Sequence, residues 1–366
     1  MEEVEEVVEN LMHNEIDLLD LSFEFAQQAP FTTLLYRSRV PDFSDDEFAT
    51  LLQVLMDALE ENTSVKQLHI DWAFLRLLQA AEQEFLMRRL GHLSQLCDVS
   101  ISGATANTNH QHLSVFSFLR LLEGQRSTFP SLQKLTMDAM GSLKIQDWLY
   151  VPRLSRALES TASCLQILRL ENLVVPQQPN FPALDPLIET LATSCPVLEQ
   201  LYVAVSLPRQ YRRIHRSLCT ASTLKRLTTP KTIRLNNWGL QHDHVINLLN
   251  LPGIESLDVW NNPLAGKSGP GSSAPYVNLL VNRQQMSLRE LRGIHDEKEE
   301  LNALLEVYLL LNRCGRARAG DSLANMVEYL DAMNQASYES QGVNSRTTVN
   351  TQLNALYTAI REQPFV

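Results

Sequence analysis

Gly266-Lys267-Ser268 has the closing residues of a phosphate-binding loop, in which backbone amides and a lysine cradle phosphate at the start of a helix. That motif needs a glycine five residues before Gly266, and Asn261 holds the place. The surrounding Ala265–Pro275, rich in Gly, Ser and Pro, reads instead as a flexible insertion, so no nucleotide is expected there. His110 with His112, and His242 with His244 around Asp243, could each offer two ligands to a metal. Neither pair has a foreseeable third ligand, and both fall at helix starts, where capping explains them better. G-x-S-x-G, H-E-x-x-H and glycine-rich dinucleotide patterns do not occur, so the reading is non-enzymatic and without cofactor. Cys97, Cys164, Cys195, Cys219 and Cys314 contain no C-x-x-C pair, which fits reduced thiols rather than a disulfide framework or a zinc module. Cys164 and Cys195 precede apolar strand seeds and are expected in or near the core, shielded from alkylation.

Charge points to binding more than to reaction. The formal charge is −11, yet residues 1–62 carry 16 acidic side chains against Arg37 and Arg39 and account for −14 of it. Between Arg209 and Arg234 the sign reverses, with eight Lys/Arg and no Asp or Glu. Arg209, Arg212, Arg213 and Arg216 would share one face of a helix over Arg209–Cys219. A solvated helix face is the simpler account of this band, an anionic partner the sharper one. A nucleic-acid ligand is not expected from an acidic chain without interleaved exposed aromatics.

The remaining candidates are polar and aromatic residues that alternate with leucines: Arg169 and Glu171, Tyr202, Arg234, Asp258 and Trp260. In strands about 4.8 Å apart, alternation would bring them to one surface, and Tyr, Trp and Arg are the types that most often dominate interfaces. Alternatively the neighbours satisfy one another, as Arg169 and Glu171 could.

The unit that must position them is clearest in Ile254-Glu-Ser-Leu257-Asp-Val259-Trp-Asn-Asn262-Pro-Leu264. Leu257 and Val259 would point to one face of a short strand and Ser256, Asp258 and Trp260 to the other. Asn262 would satisfy backbone groups of the turn, and Leu264 would return to the core. Related seeds occur at Val65–Ile70, Leu96–Ile101, Leu132–Met137, Leu165–Leu170, Leu198–Val203, Ile233–Leu235 and Leu288–Leu291, at intervals of 24 to 36 residues. An earlier seed is expected over Thr33–Arg39. Helix-period stretches separate them at Asp45–Glu60, Leu77–Leu90, Gln111–Glu123, Leu149–Ser160, Ala183–Ser194, Arg209–Cys219, Asp243–Leu251 and Pro275–Gln285. Strand and helix in regular alternation imply parallel strands joined by right-handed crossovers.

Over about residues 31–311 these repeats resemble those of ribonuclease-inhibitor-like leucine-rich-repeat proteins. The resemblance implies an α/β horseshoe solenoid, with strands on the concave side and helices on the convex side. The segments Tyr308–Arg316 and Leu353–Pro364 are similar to the C-terminal part of leucine-rich-repeat families of diatoms. The domain reading is an acidic N-terminal cap over 1–30, the solenoid over 31–311 and a helical C-terminal cap over 312–366, built on two apolar stripes, Leu323–Met333 and Leu353–Ile360.

The expected function is a protein-recognition scaffold that uses the concave strand surface, monomeric and binding another protein. A substrate-selecting adaptor for ubiquitin ligation and a GTPase-activating regulator are the rival readings. Residues 1–30 offer no convincing F-box for the first, and no transition-state-stabilising residue stands out for the second. No apolar run approaches the ~18 residues of a membrane span, and the acidic Met1–Glu6 is unlike a secretory or transit sequence, so a cytoplasmic or nuclear location is expected.

Overall fold

Alternating apolar residues make the strands, and the structure, a computed structural model, shows what they bury. It describes residues 8–21, 45–71, 80–102, 131–138, 150–174, 184–206, 217–262, 264, 274–281, 286–294 and 299–313. The chain forms two compact units, Met1–Pro208 and Arg209–Val366.

In the first unit, strands β1 (Leu18–Leu21), β2 (Gln67–Asp71), β3 (Asp98–Ser102), β4 (Lys134–Asp138), β5 (Ile167–Val174) and β6 (Gln200–Ser206) lie side by side in chain order, each parallel to the next. Between them come helices α1 (Asp45–Glu61), α2 (Ala80–Leu90), α3 (Tyr150–Thr161) and α4 (Asp185–Ser194). The register aligns the seeds: Leu19, Leu68, Val99, Leu135, Leu168 and Leu201 form one row, and Leu21, Ile70, Ile101, Met137, Leu170 and Val203 the next. Every one of these is buried. Because side chains repeat every two residues, a slip by one would turn both rows outward, which is why the leucine spacing fixes the pairing. Helix residues at i, i+3 and i+4 spacing close the other side of this core, as Leu154, Ala157 and Leu158 do in α3 and Leu187, Ile188 and Leu191 in α4.

The parallel ladder begins at β1, inside the segment assigned to an N-terminal cap, and β1 pairs directly with β2. The seed at Thr33–Arg39 and the helix at Gln111–Glu123 lie outside the described residues. One bulge interrupts the ladder. The pairing passes from Leu170↔Val203 to Leu173↔Val205, giving β5 one residue more than β6, and Asn172 absorbs it at φ 56°. Its side-chain amide donates to Asp138 Oδ1 at 2.6 Å, while Leu173 and Val205 stay buried beyond it.

The second unit holds α5 (Ala221–Leu224), β7 (Thr232–Asn236), α6 (His242–Leu249), β8 (Ser256–Asp258), α7 (Ala274–Val281), β9 (Glu290–Arg292) and α8 (Glu299–Arg313). Its strands too are parallel and in chain order, with Ile233, Leu257 and Leu291 in one buried row. The helix expected over Arg209–Cys219 is not present in its described part. Ser217–Thr220 is non-helical because the Leu218 N–H is drawn to the Trp238 carbonyl (2.9 Å) and Thr220 caps the short α5. Residues 209–216 and 314–366 lie outside the described set, the latter containing most of the C-terminal cap. Helix α8 runs unbroken through 311 and 312, and buried Asn312 donates from Nδ2 to the Leu288 carbonyl at 2.7 Å.

The thiols divide. Cys195 is buried where α4 ends, and burial pushes its thiol up to about 12, whereas Cys164 is exposed. The expectation for Cys164 is therefore corrected. It closes the 3-10 turn Ala162–Cys164, and the next residue, Leu165, takes the buried place.

Candidate functional site

In the first unit, Arg169 follows core residue Leu168 and faces outward, with Tyr202 opposite it on β6. Glu171, two residues along, shares its face and ion-pairs with it, while the guanidinium carbon lies 6.0 Å from the centre of the Tyr202 ring. The Tyr202 hydroxyl donates to Gln200 Oε1 at 3.4 Å. Asn172, bulged out just past Glu171, is tied through its own side chain to Asp138 on β4. The three predicted residues are thus brought together, but around one another: acid, base and ring form a closed set on an exposed face. Neighbouring strands repeat the pattern, with His69 Nδ1 3.3 Å from Asp20 Oδ1 and Lys134 Nζ 2.7 Å from Asp98 Oδ2.

In the second unit the arrangement differs. Arg234 Nε lies 2.9 Å from Asp258 Oδ2 on the adjacent strand, a close ion pair rather than an aligned hydrogen bond. The other Asp258 oxygen, Oδ1, accepts the Trp260 N–H at 3.0 Å. Trp260 has 48% of its surface exposed although its backbone N–H and carbonyl are both hydrogen-bonded. The Trp260 carbonyl accepts from Asn237 N–H at 3.3 Å, and Asn261 turns the chain at φ 61°.

Beneath lies Asn262, 3% exposed, with both ends of its amide in use. Nδ2 donates to the carbonyls of Leu235 and Val259, each at 2.8 Å, and Oδ1 accepts from the N–H groups of Trp238 (2.9 Å) and Leu240 (3.0 Å). This is the turn role the repeat pattern assigns to it, and it reaches into the previous repeat as well. Leu264 returns to the core as expected. Pressed against the same turn is Gly293 at φ +83°, where a Cβ would stand 2.5 Å from Trp260 N and 2.6 Å from the Val259 carbonyl carbon. Only glycine lets β9 approach so closely.

Trp260 and Asp258 border a cleft of about 440 Å³ together with Arg292, Asn302, Leu305 and Glu306, over buried Leu291 and Ile294. That volume falls in the ~300–1,000 Å³ range of ligand-sized clefts. Sequence reasoning did not make Arg292 a site residue, and it missed Gly293 and the α8 contribution altogether. The signal for α8 was present in Leu301, Leu305, Tyr308 and Asn312 at helical spacing. For Gly293 there was none, since a glycine after a strand reads as an ordinary turn.

The metal and phosphate candidates fare differently. His244 accepts the Gln241 N–H on Nδ1 (3.3 Å), which leaves Nε2–H to donate to the Cys219 carbonyl (3.1 Å). His242 Nδ1 is 2.5 Å from the Tyr276 hydroxyl, with the two rings stacked. Burial, and secondarily Asp243, push the Tyr276 phenol above its usual range, so it donates to the imidazole. Both histidines therefore join α6 to its neighbours. His110, His112 and Gly266-Lys267-Ser268 lie outside the described residues, as do Arg209, Arg212, Arg213 and Arg216. Of the basic band, Lys225, Arg226 and Lys231 are exposed. Among the described residues, no group of three His, Cys, Asp or Glu is placed to hold a metal, and no helix is long and apolar enough to cross a membrane. No known family model matches the chain, and no curated protein matches its sequence.

Proposed function

We propose that the chain is a leucine-rich-repeat scaffold, its strands lining the concave side of an arc, that recognises another protein without catalysing a reaction, and that recognition centres on the cleft beside Trp260. The observation that carries this reading is the half-exposed indole on an immobilised backbone. An exposed aromatic on a backbone already fixed in a turn adds no cost of ordering the chain on binding, so more of its contact energy appears as affinity. Apolar residues floor the cleft and charged groups rim it, the usual anatomy of an interface centre.

Affinity purification on the full chain followed by mass spectrometry tests this. Wild-type protein should capture a defined partner that Trp260→Ala loses and Arg169→Ala/Tyr202→Ala keeps. Loss only in the second variant would move the binding surface to the first unit. Equal recovery by all three would remove the strand face from consideration.

A further inference from the structure

We infer that the cleft beside Trp260 receives a lysine or arginine side chain of a partner polypeptide, with its aliphatic stem along the indole and its charged head at Glu306. The inference rests on the recognition reading above and adds the chemistry of the partner. It follows from an account of the charges around the cleft. Asp258 is satisfied at both oxygens, by Arg234 and by the Trp260 N–H. Arg292 is held by Glu290, whose second oxygen accepts the Ser256 hydroxyl at 2.8 Å, so this lining cation is already neutralised within the strand face. Glu306 differs. It pairs with Arg313 at 3.8 Å, with both side chains at least half exposed, a pairing that water screens almost completely.

Among the described lining residues the most weakly paired charge is therefore a carboxylate, and it shares the cleft with half-exposed Trp260, the aromatic type that best attracts a cation. Buried Leu291, Ile294 and Leu305 give the stem of a long basic side chain an apolar surface, which lysine and arginine use readily. An acidic side chain would meet Glu306 and Asp258 and could gain Arg292 only by displacing Glu290.

The test is selection from a random peptide library displayed on phage, with the full-length chain immobilised as wild type, Trp260→Leu and Glu306→Lys. Trp260→Leu keeps an apolar side chain while removing the ring, and Glu306→Lys changes an exposed helix residue, so neither threatens the fold. Wild type should enrich peptides with a Lys or Arg beside an apolar residue. Such a peptide should bind about tenfold more weakly to either variant, and Glu306→Lys should enrich acidic peptides instead. Peptides that depend on Trp260 but show no basic preference would overturn this inference and leave the recognition reading standing. Selection indifferent to Trp260 would overturn both. Enrichment of sequences copied from this chain itself would assign the cleft to a second copy and also overturn the inference.

Discussion

The Arg169–Glu171–Tyr202 set and the Trp260 turn follow from the same alternation of polar and apolar residues, yet in one the outward side chains engage one another across two strands and in the other a half-exposed indole borders a cleft. On β5 and β6, acid, base and ring lie within reach and close on one another. Past β8 the chain turns at Asn261, and Asn262 and Gly293 hold the turn from below. What separates the two regions is whether the residue sits within a ladder or at the turn that ends it.

If that distinction is right, the supports of the turn should matter most. Asn262→Ala strips partners from buried backbone groups of two repeats and should cost about 3 kcal/mol or more in urea unfolding, at about 1–3 kcal/mol for each unsatisfied group. A loss below about 1 kcal/mol would mean the turn holds without its amide.

Gly293→Ala should cost about 2 kcal/mol or more, since its Cβ would meet the Trp260 backbone at 2.5 Å in addition to the strain of a positive φ. Gly253→Ala separates the two contributions. Gly253 also has positive φ (+74°) but nothing within 4 Å of an added Cβ, so only about 1 kcal/mol of backbone strain is expected. Equal costs at the two glycines would deny the close packing of β9 on the turn.

The closed set of the first unit should respond least. Arg169→Ala/Glu171→Ala removes an exposed pair whose members otherwise face solvent and should change stability by at most about 0.5 kcal/mol. A larger loss would show that the pair braces the β5 bulge.

The repeat pattern exposed much of this architecture, since each strand seed marks two buried rows, and Asn262 and Leu264 took the places their spacing assigns. It was silent where one residue answers to a distant one. The bulge at Asn172 depends on Asp138, 34 residues away, and the need for glycine at 293 depends on the backbone of Trp260. Cys164 shows the same limit at closer range, for proximity to a seed did not reveal that Leu165 would take the inward place. The candidate surface was legible as a row of outward residues. That Arg169 and Glu171 could pair was legible too, whereas the place of Tyr202 beside them was not, because it depends on the register of β5 with β6.

The central claim is that Trp260 contributes to binding and not to the fold. The direct test is the affinity of the purified partner for wild-type and Trp260→Ala chains, measured by titration calorimetry beside their urea unfolding curves. The account predicts unfolding free energies within about 0.5 kcal/mol of each other and a binding loss of about 2 kcal/mol or more. Unchanged affinity at equal stability would contradict it.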